Sequence, residues 1–142
     1  MPPEGISKET FAIANIVIYL AICVGVAFNR NRRVHTRIMW SCFAADILMV
    51  LIIELSRKAL KQAGETALHM SERPLLAFHI FVSVMTLVFW FVQLRGGPRL
   101  IRMLDTPGTD PAMLSNARGK HRLFARVFLA FRTSNLITSF FV

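Results

Sequence analysis

The stretch LLAFHIFVSVMTLVFWFVQL, residues 75–94, decides how the rest of this chain is read. It contains no Asp, Glu, Lys or Arg, and its length is about the 17–25 residues that a helix needs to cross a hydrocarbon core. It is not uniformly apolar, however. His79, Ser83, Thr86, Trp90 and Gln93 follow at spacings of 4, 3, 4 and 3. Those are the positions that face a partner helix in a left-handed bundle. A helix in lipid has no apolar reason to keep a histidine or a glutamine, so this stripe marks an inward face.

Three more segments follow the same design: Phe11 to Phe28, Ile38 to Glu54 and Leu123 to Val142. On the second, His35, Met39, Cys42, Asp46, Met49 and Ile53 share one face. On the last, His121, Ala125, Phe128, Arg132, Asn135 and Ser139 do so. Asn15, Tyr19, Ile22 and Val26 make a weaker series on the first. The spans take up roughly 75 of 142 residues, which leaves no room for a soluble domain of ordinary size. The expectation is an all-α membrane protein of one domain, residues 1–142. Its four transmembrane helices form an antiparallel up-down-up-down bundle with both termini outside.

A net charge of +9 could point to nucleic acid, but the basic residues flank apolar segments as topology signals do. The connection 29–37 holds Arg30, Arg32, Arg33 and Arg37. The connection 95–122 holds Arg95, Arg99, Arg102, Arg118, Lys120 and Arg122, with Arg126 just beyond. The other side carries Lys8, Arg57, Lys58, Lys61 and Arg73. The excess places 29–37 and 95–122 in the cytoplasm. Gly96, Gly97, Pro98, Pro107, Gly108 and Pro111 predict that the third helix stops near residue 94 and that a turn-rich loop follows. Within it, Arg99 to Leu104 alternates basic and apolar residues, which suits either the headgroup layer or a solvated loop.

Cys23 and Cys42 both fall inside spans without a CxxC spacing, so they read as reduced packing residues. The start MPPEGISKET lacks the basic n-region of a secretory leader, so the first segment is expected to stay as an anchor.

The polar faces carry the functional reading. Asp46 follows His35 by 11 residues and Arg132 follows His121 by 11, a rise of about 16 Å in each helix. Asp46 and Arg132 are thus expected at one mid-membrane level as a buried ion pair, with Asn135 one turn away as a supporting polar group. The alternative is that Arg132 snorkels or contacts another subunit. His35 and His121 share a depth, whereas His79 lies far from both and His69 falls in a connection. Two imidazoles at one depth are a candidate ligand pair for haem iron or a transition metal. Met39, Cys42 and Met49 share the His35 face and add soft donors suited to copper, although Met at this spacing is also ordinary core. Structural, hydrogen-bonded histidines are the plainer alternative. No HExxH, GxSxG or phosphate-cradling glycine loop is present, so no enzymatic activity is expected.

HTRIM at His35–Met39, LLAFHI ending at Ile80, and HRLFAR at His121–Arg126 resemble the DUF420 group of small bacterial membrane proteins. That group includes an assembly factor for haem–copper cytochrome oxidases. The resemblance covers about the last three helices, and the last span departs from it by being poorer in Trp, Tyr and Gly. It implies a bacterial inner-membrane protein that acts in oxidase biogenesis through haem or copper, with His35, His79 and His121 as its characteristic histidines. Two further readings stand beside it. One is a structural accessory subunit of a respiratory or other energy-transducing complex, and the other a haem b electron carrier with His35 and His121 as axial ligands. In each, the partners are the lipid bilayer and other membrane proteins, not nucleic acid.

Overall fold

A computed structural model of the chain describes residues 8–55 and 74–141. Among the described residues the secondary structure is entirely helical: α1 Lys8–Ala27, α2 Arg32–Leu55, α3 Pro74–Asp105 and α4 Pro111–Thr138. Three of them, α1, α2 and α3, are long and apolar enough to cross a membrane. α4 is not one of the three, because Lys120, His121, Arg122, Arg126 and Arg132 interrupt its apolar run. The second connection, with His69 and its basic residues, lies outside the described residues.

Among the described residues, α1, α2, the first four residues of α3 and residues 139–141 belong to one compact unit. Residues 78–138 form another. In the first unit, α1 and α2 make a helical hairpin closed by four residues. Asn31 caps α2, its Oδ1 accepting the Val34 amide at 3.3 Å. Ile18, Ile22 and Gly25 of α1 are buried, and so are Cys42 and Asp46 of α2. The helices approach closely at Gly25. A Cβ there would stand 2.9 Å from Ile38 Cγ2 and 3.1 Å from Met39 Sδ, so the contact needs a residue without a side chain. At the far end of α1, the Asn15 amide donates to Ser139 Oγ at 3.2 Å.

The second unit departs from the sequence expectation. α3 does not stop at residue 94. It continues through Gly96, Gly97 and Pro98 to Asp105, 32 residues in all. Proline removes one amide and disfavours a helical residue before it through contact with that residue's Cβ. Gly97 has no Cβ to meet the ring, so the sequence that looked like a stop is tolerated within the helix. The loop expected over 95–122 shrinks to residues 106–110. Thr106 Oγ1 donates to Arg102 O at 2.8 Å and Thr109 Oγ1 to Met103 O at 2.9 Å, which satisfies carbonyls at the end of α3. Gly108 turns the chain at φ 80°. Asp110 then caps α4 by accepting the Ala112 amide at 3.0 Å, with Pro111 in the first helical position.

α3 and α4 run antiparallel with a register visible along their length. His79 meets Thr138, Ser83 meets Asn135, Trp90 meets Phe128, and Gln93 meets the backbone of His121. Aromatic rings fill the seam: Trp90 and Phe128 lie 4.5 Å apart, and Phe89 stacks on Phe131 at 5.6 Å. Trp90, Val82, Phe128 and Arg132 are at most 2% exposed.

Candidate functional site

Burial follows the stripes rather than apolarity. The buried polar side chains are Asp46, Thr86, Gln93, Arg132 and Thr138, whereas Leu48, Leu51, Phe81 and Phe91 are at least 50% exposed. Polar groups inward and apolar groups outward is the arrangement that a hydrocarbon solvent favours.

His35 lies in the first turn and a half of α2, half-buried against the end of α1. The Asn29 amide turns to Val26 O at 3.2 Å instead of continuing the helix, and the carbonyl of Gly25 is taken by His35 Nδ1 at 2.7 Å. A carbonyl only accepts, so the ring proton sits on Nδ1. The neutral ring then carries its lone pair on Nε2, the state in which imidazole ligates a metal. Met39 reaches the same patch, its sulfur lying over Gly25. Cys42 (4% exposed) and Asp46 (8%) continue that face inward, with Met49 half-buried beyond them. Cys23 is exposed on α1, and both cysteines are free thiols.

His79 is held by the same device through a hydroxyl. Thr138 Oγ1 lies 2.7 Å from His79 Nδ1, 2.9 Å from Ser134 O and 3.2 Å from Asn135 O, so its one proton serves a carbonyl or the ring and the hydrogen bond holds the imidazole in place with either tautomer. Ser83 Oγ lies 2.8 Å from both the His79 carbonyl and Asn135 Oδ1, and its single proton serves one of them at a time. His79, Ser83, Asn135 and Thr138 form one cluster.

His121 is not at the start of its helix, as the sequence implied, but ten residues inside α4. Its ring faces Gly96 and Gly97, 3.9 Å from where a Cβ would stand on either, and its carbonyl accepts from Gln93 Nε2 at 3.2 Å. The level of Gln93 is 14 residues along α3 from that of His79, about 21 Å. His79 and His121 therefore cannot ligate one ion. Among the described residues, no three His, Cys, Asp or Glu side chains come together as a metal-holding group. Asp46 belongs to the first unit and Arg132 to the second, each buried in place.

The sequence reading missed Gly25 and Thr138, the partners that orient two of the histidines. A lone glycine one turn from the end of a helix of large residues is a recognisable signal of close approach. Thr138 gave a weaker one, three residues after Asn135 and beside the stripe.

Fold and site define a helical protein with three membrane-length apolar helices and histidines oriented by hydrogen bonds on their inward faces. Comparison with models of known protein families, with curated proteins and with solved structures finds no match.

Proposed function

We propose that this chain is a non-enzymatic membrane protein that takes up haem or a transition metal through its interior histidines. The observation that carries this reading is the His35–Gly25 hydrogen bond, which leaves Nε2 as the ligating nitrogen. Metal-bound histidines commonly have such a carbonyl partner, and His79 has its counterpart in Thr138. Met39, Cys42 and Met49 would add soft donors to the His35 face if the metal is copper. The setting suggested by HTRIM, LLAFHI and HRLFAR is haem–copper oxidase assembly in a bacterial inner membrane, with residues 29–37 and 95–122 in the cytoplasm.

Oxidised and reduced visible spectra of the full chain in mild detergent, with metal analysis of the same sample, test the reading. A stoichiometric haem band lost in both His35→Ala and His121→Ala makes this a bis-His haem protein and favours the electron-carrier variant. Stoichiometric copper that weakens in His35→Ala favours copper handling. A sample free of both overturns the proposal. A cysteine placed at Ala117 is expected to label only from the cytoplasmic side.

The second reading, an accessory subunit of a larger respiratory complex, draws on the broad exposed faces of α1, α2 and α3. These include Val17, Leu20, Leu48, Phe81 and Phe91, all at least 53% exposed. Lipid covers such faces as readily as a neighbouring subunit does. Stoichiometric co-purification of other subunits with an apo chain decides for the second reading.

A further inference from the structure

α3 is too long for the membrane it is composed to cross. Its 32 residues span about 48 Å, against about 30 Å of hydrocarbon. Tilt alone would need about 51° to hide that length, outside the 0–40° range of membrane helices. Residues 75–94 are free of charge and alone account for the hydrocarbon, so residues 95–105 project beyond it. The antiparallel register carries the first part of α4 out with them. With Gln93 level with His121, Arg95 and Arg99 stand level with Gly119 and Ser115.

Charge is sorted along this projecting hairpin. Arg95, Arg99, Arg118, Lys120 and Arg122 are all exposed and lie within about two turns of the hydrocarbon edge, with exposed Arg102 nearer the tip and exposed Arg126 about 9 Å to the hydrocarbon side. The only acids between Leu75 and Thr138 are Asp105 and Asp110, at the tip. The headgroup layer is about 5–8 Å thick on each side, and the step from Arg95 to Arg99 is about 6 Å. The basic level therefore coincides with the lipid phosphates.

The arginine end of an open hollow of about 430 Å³ on α4, lined by Pro111, Leu114, Ser115, Arg118, Gly119 and Arg122, stands at that level, and its Leu114 and Pro111 end runs toward the tip. These positions share one helical face. Arg118 and Arg122 are one turn apart, Ser115 adds a hydroxyl, and Gly119 leaves the floor open, with nothing within 4 Å of where its Cβ would be. Two guanidinium groups and a hydroxyl match the phosphodiester of a headgroup.

We propose that this cleft binds the headgroup of an anionic phospholipid and seats the α3–α4 hairpin at the membrane surface. The site is independent of whatever the histidines hold.

Native mass spectrometry of the full chain in mild detergent tests it, with phosphatidylglycerol and phosphatidylcholine of matched acyl chains as probes. Phosphatidylglycerol is expected to bind selectively. Arg118→Gln with Arg122→Gln is expected to weaken it about 30-fold, from about fivefold per arginine at a membrane surface. Gly119→Leu adds bulk where a Cβ meets nothing within 4 Å and is expected to abolish the selectivity while both charges remain. Arg30→Gln with Arg33→Gln, at the α1–α2 connection, is expected to leave binding unchanged. Equal binding of the two lipids, or selectivity that survives the Arg118/Arg122 pair or Gly119→Leu, overturns the proposal. Displacement of phosphatidylglycerol by millimolar inorganic phosphate would make the cleft a small-anion site and overturn the lipid assignment.

Discussion

The two helical hairpins are closed by different forces. α1 and α2 meet by shape: Gly25 lets Ile38 and Met39 within van der Waals reach, and one imidazole, His35, covers the carbonyl that this approach leaves open. α3 and α4 meet through a polar seam, His79 to Thr138 and Ser83 to Asn135, with Gln93 donating to the His121 backbone around stacked aromatics. In lipid there is no hydrophobic gain from pressing one apolar helix on another, so close backbone packing and interhelical hydrogen bonds are the two available means. The first hairpin uses both, at Gly25 and His35, and the second rests on the hydrogen bonds of its seam. The first should therefore be the one sensitive to added volume, and both should respond to removed hydrogen-bonding groups.

The largest test concerns Asp46 and Arg132, the first buried in the first hairpin and the second in the second. Asp46→Ala and Arg132→Met are each expected to lower stability by about 3–5 kcal/mol if the two charges compensate one another. A double-mutant cycle in denaturant titrations should then recover most of that loss. Simple additivity would remove the ion pair from consideration and restore the view that each hairpin is held by its own interactions.

Next in size is the steric contact. Gly25→Val is expected to cost about 1–3 kcal/mol, because the new side chain meets Ile38 and Met39. An unchanged midpoint would mean that the first hairpin does not depend on close approach. His35→Ala should cost about 1 kcal/mol by uncovering the Gly25 carbonyl. Nitrogen-15 NMR of the wild-type chain should find the proton on Nδ1 of His35, and a neutral ring protonated at Nε2 would contradict the hydrogen bond.

The smallest expected effect is the loss of a single polar rung. Thr138→Val is expected to cost about 0.6 kcal/mol, the average for an interhelical hydrogen bond in a membrane protein. It should also remove the hydrogen bond at His79 Nδ1 while leaving that at His35 Nδ1 unchanged. A loss as large as that in Gly25→Val would mean that the polar seam acts as one cooperative network.

The turn between α3 and α4 shows where local reading fails. Gly96, Gly97 and Pro98 look like a helix stop, and Pro111 like part of a loop. Yet Gly97 removes the Cβ that makes a residue before proline resist the helix, and Pro111 after Asp110 is a helix start. The same residue types terminate one helix and open another, and the sign depends on neighbours that propensity treats separately. TPGTD, residues 106–110, is the turn, fixed by two threonine hydroxyls and Gly108.

By itself the sequence determined the apolar segments, the stripe of polar residues on each, and hence which side chains turn inward. Those follow from the 3.6-residue period and from composition, which are properties of each helix alone. The tertiary structure decided how far α3 runs, which carbonyl holds His35 and which hydroxyl holds His79, and that His121 stands about 21 Å along the hairpin from His79. These depend on register between helices, and register is set by contacts between residues as distant in sequence as His79 and Thr138, which no local pattern contains.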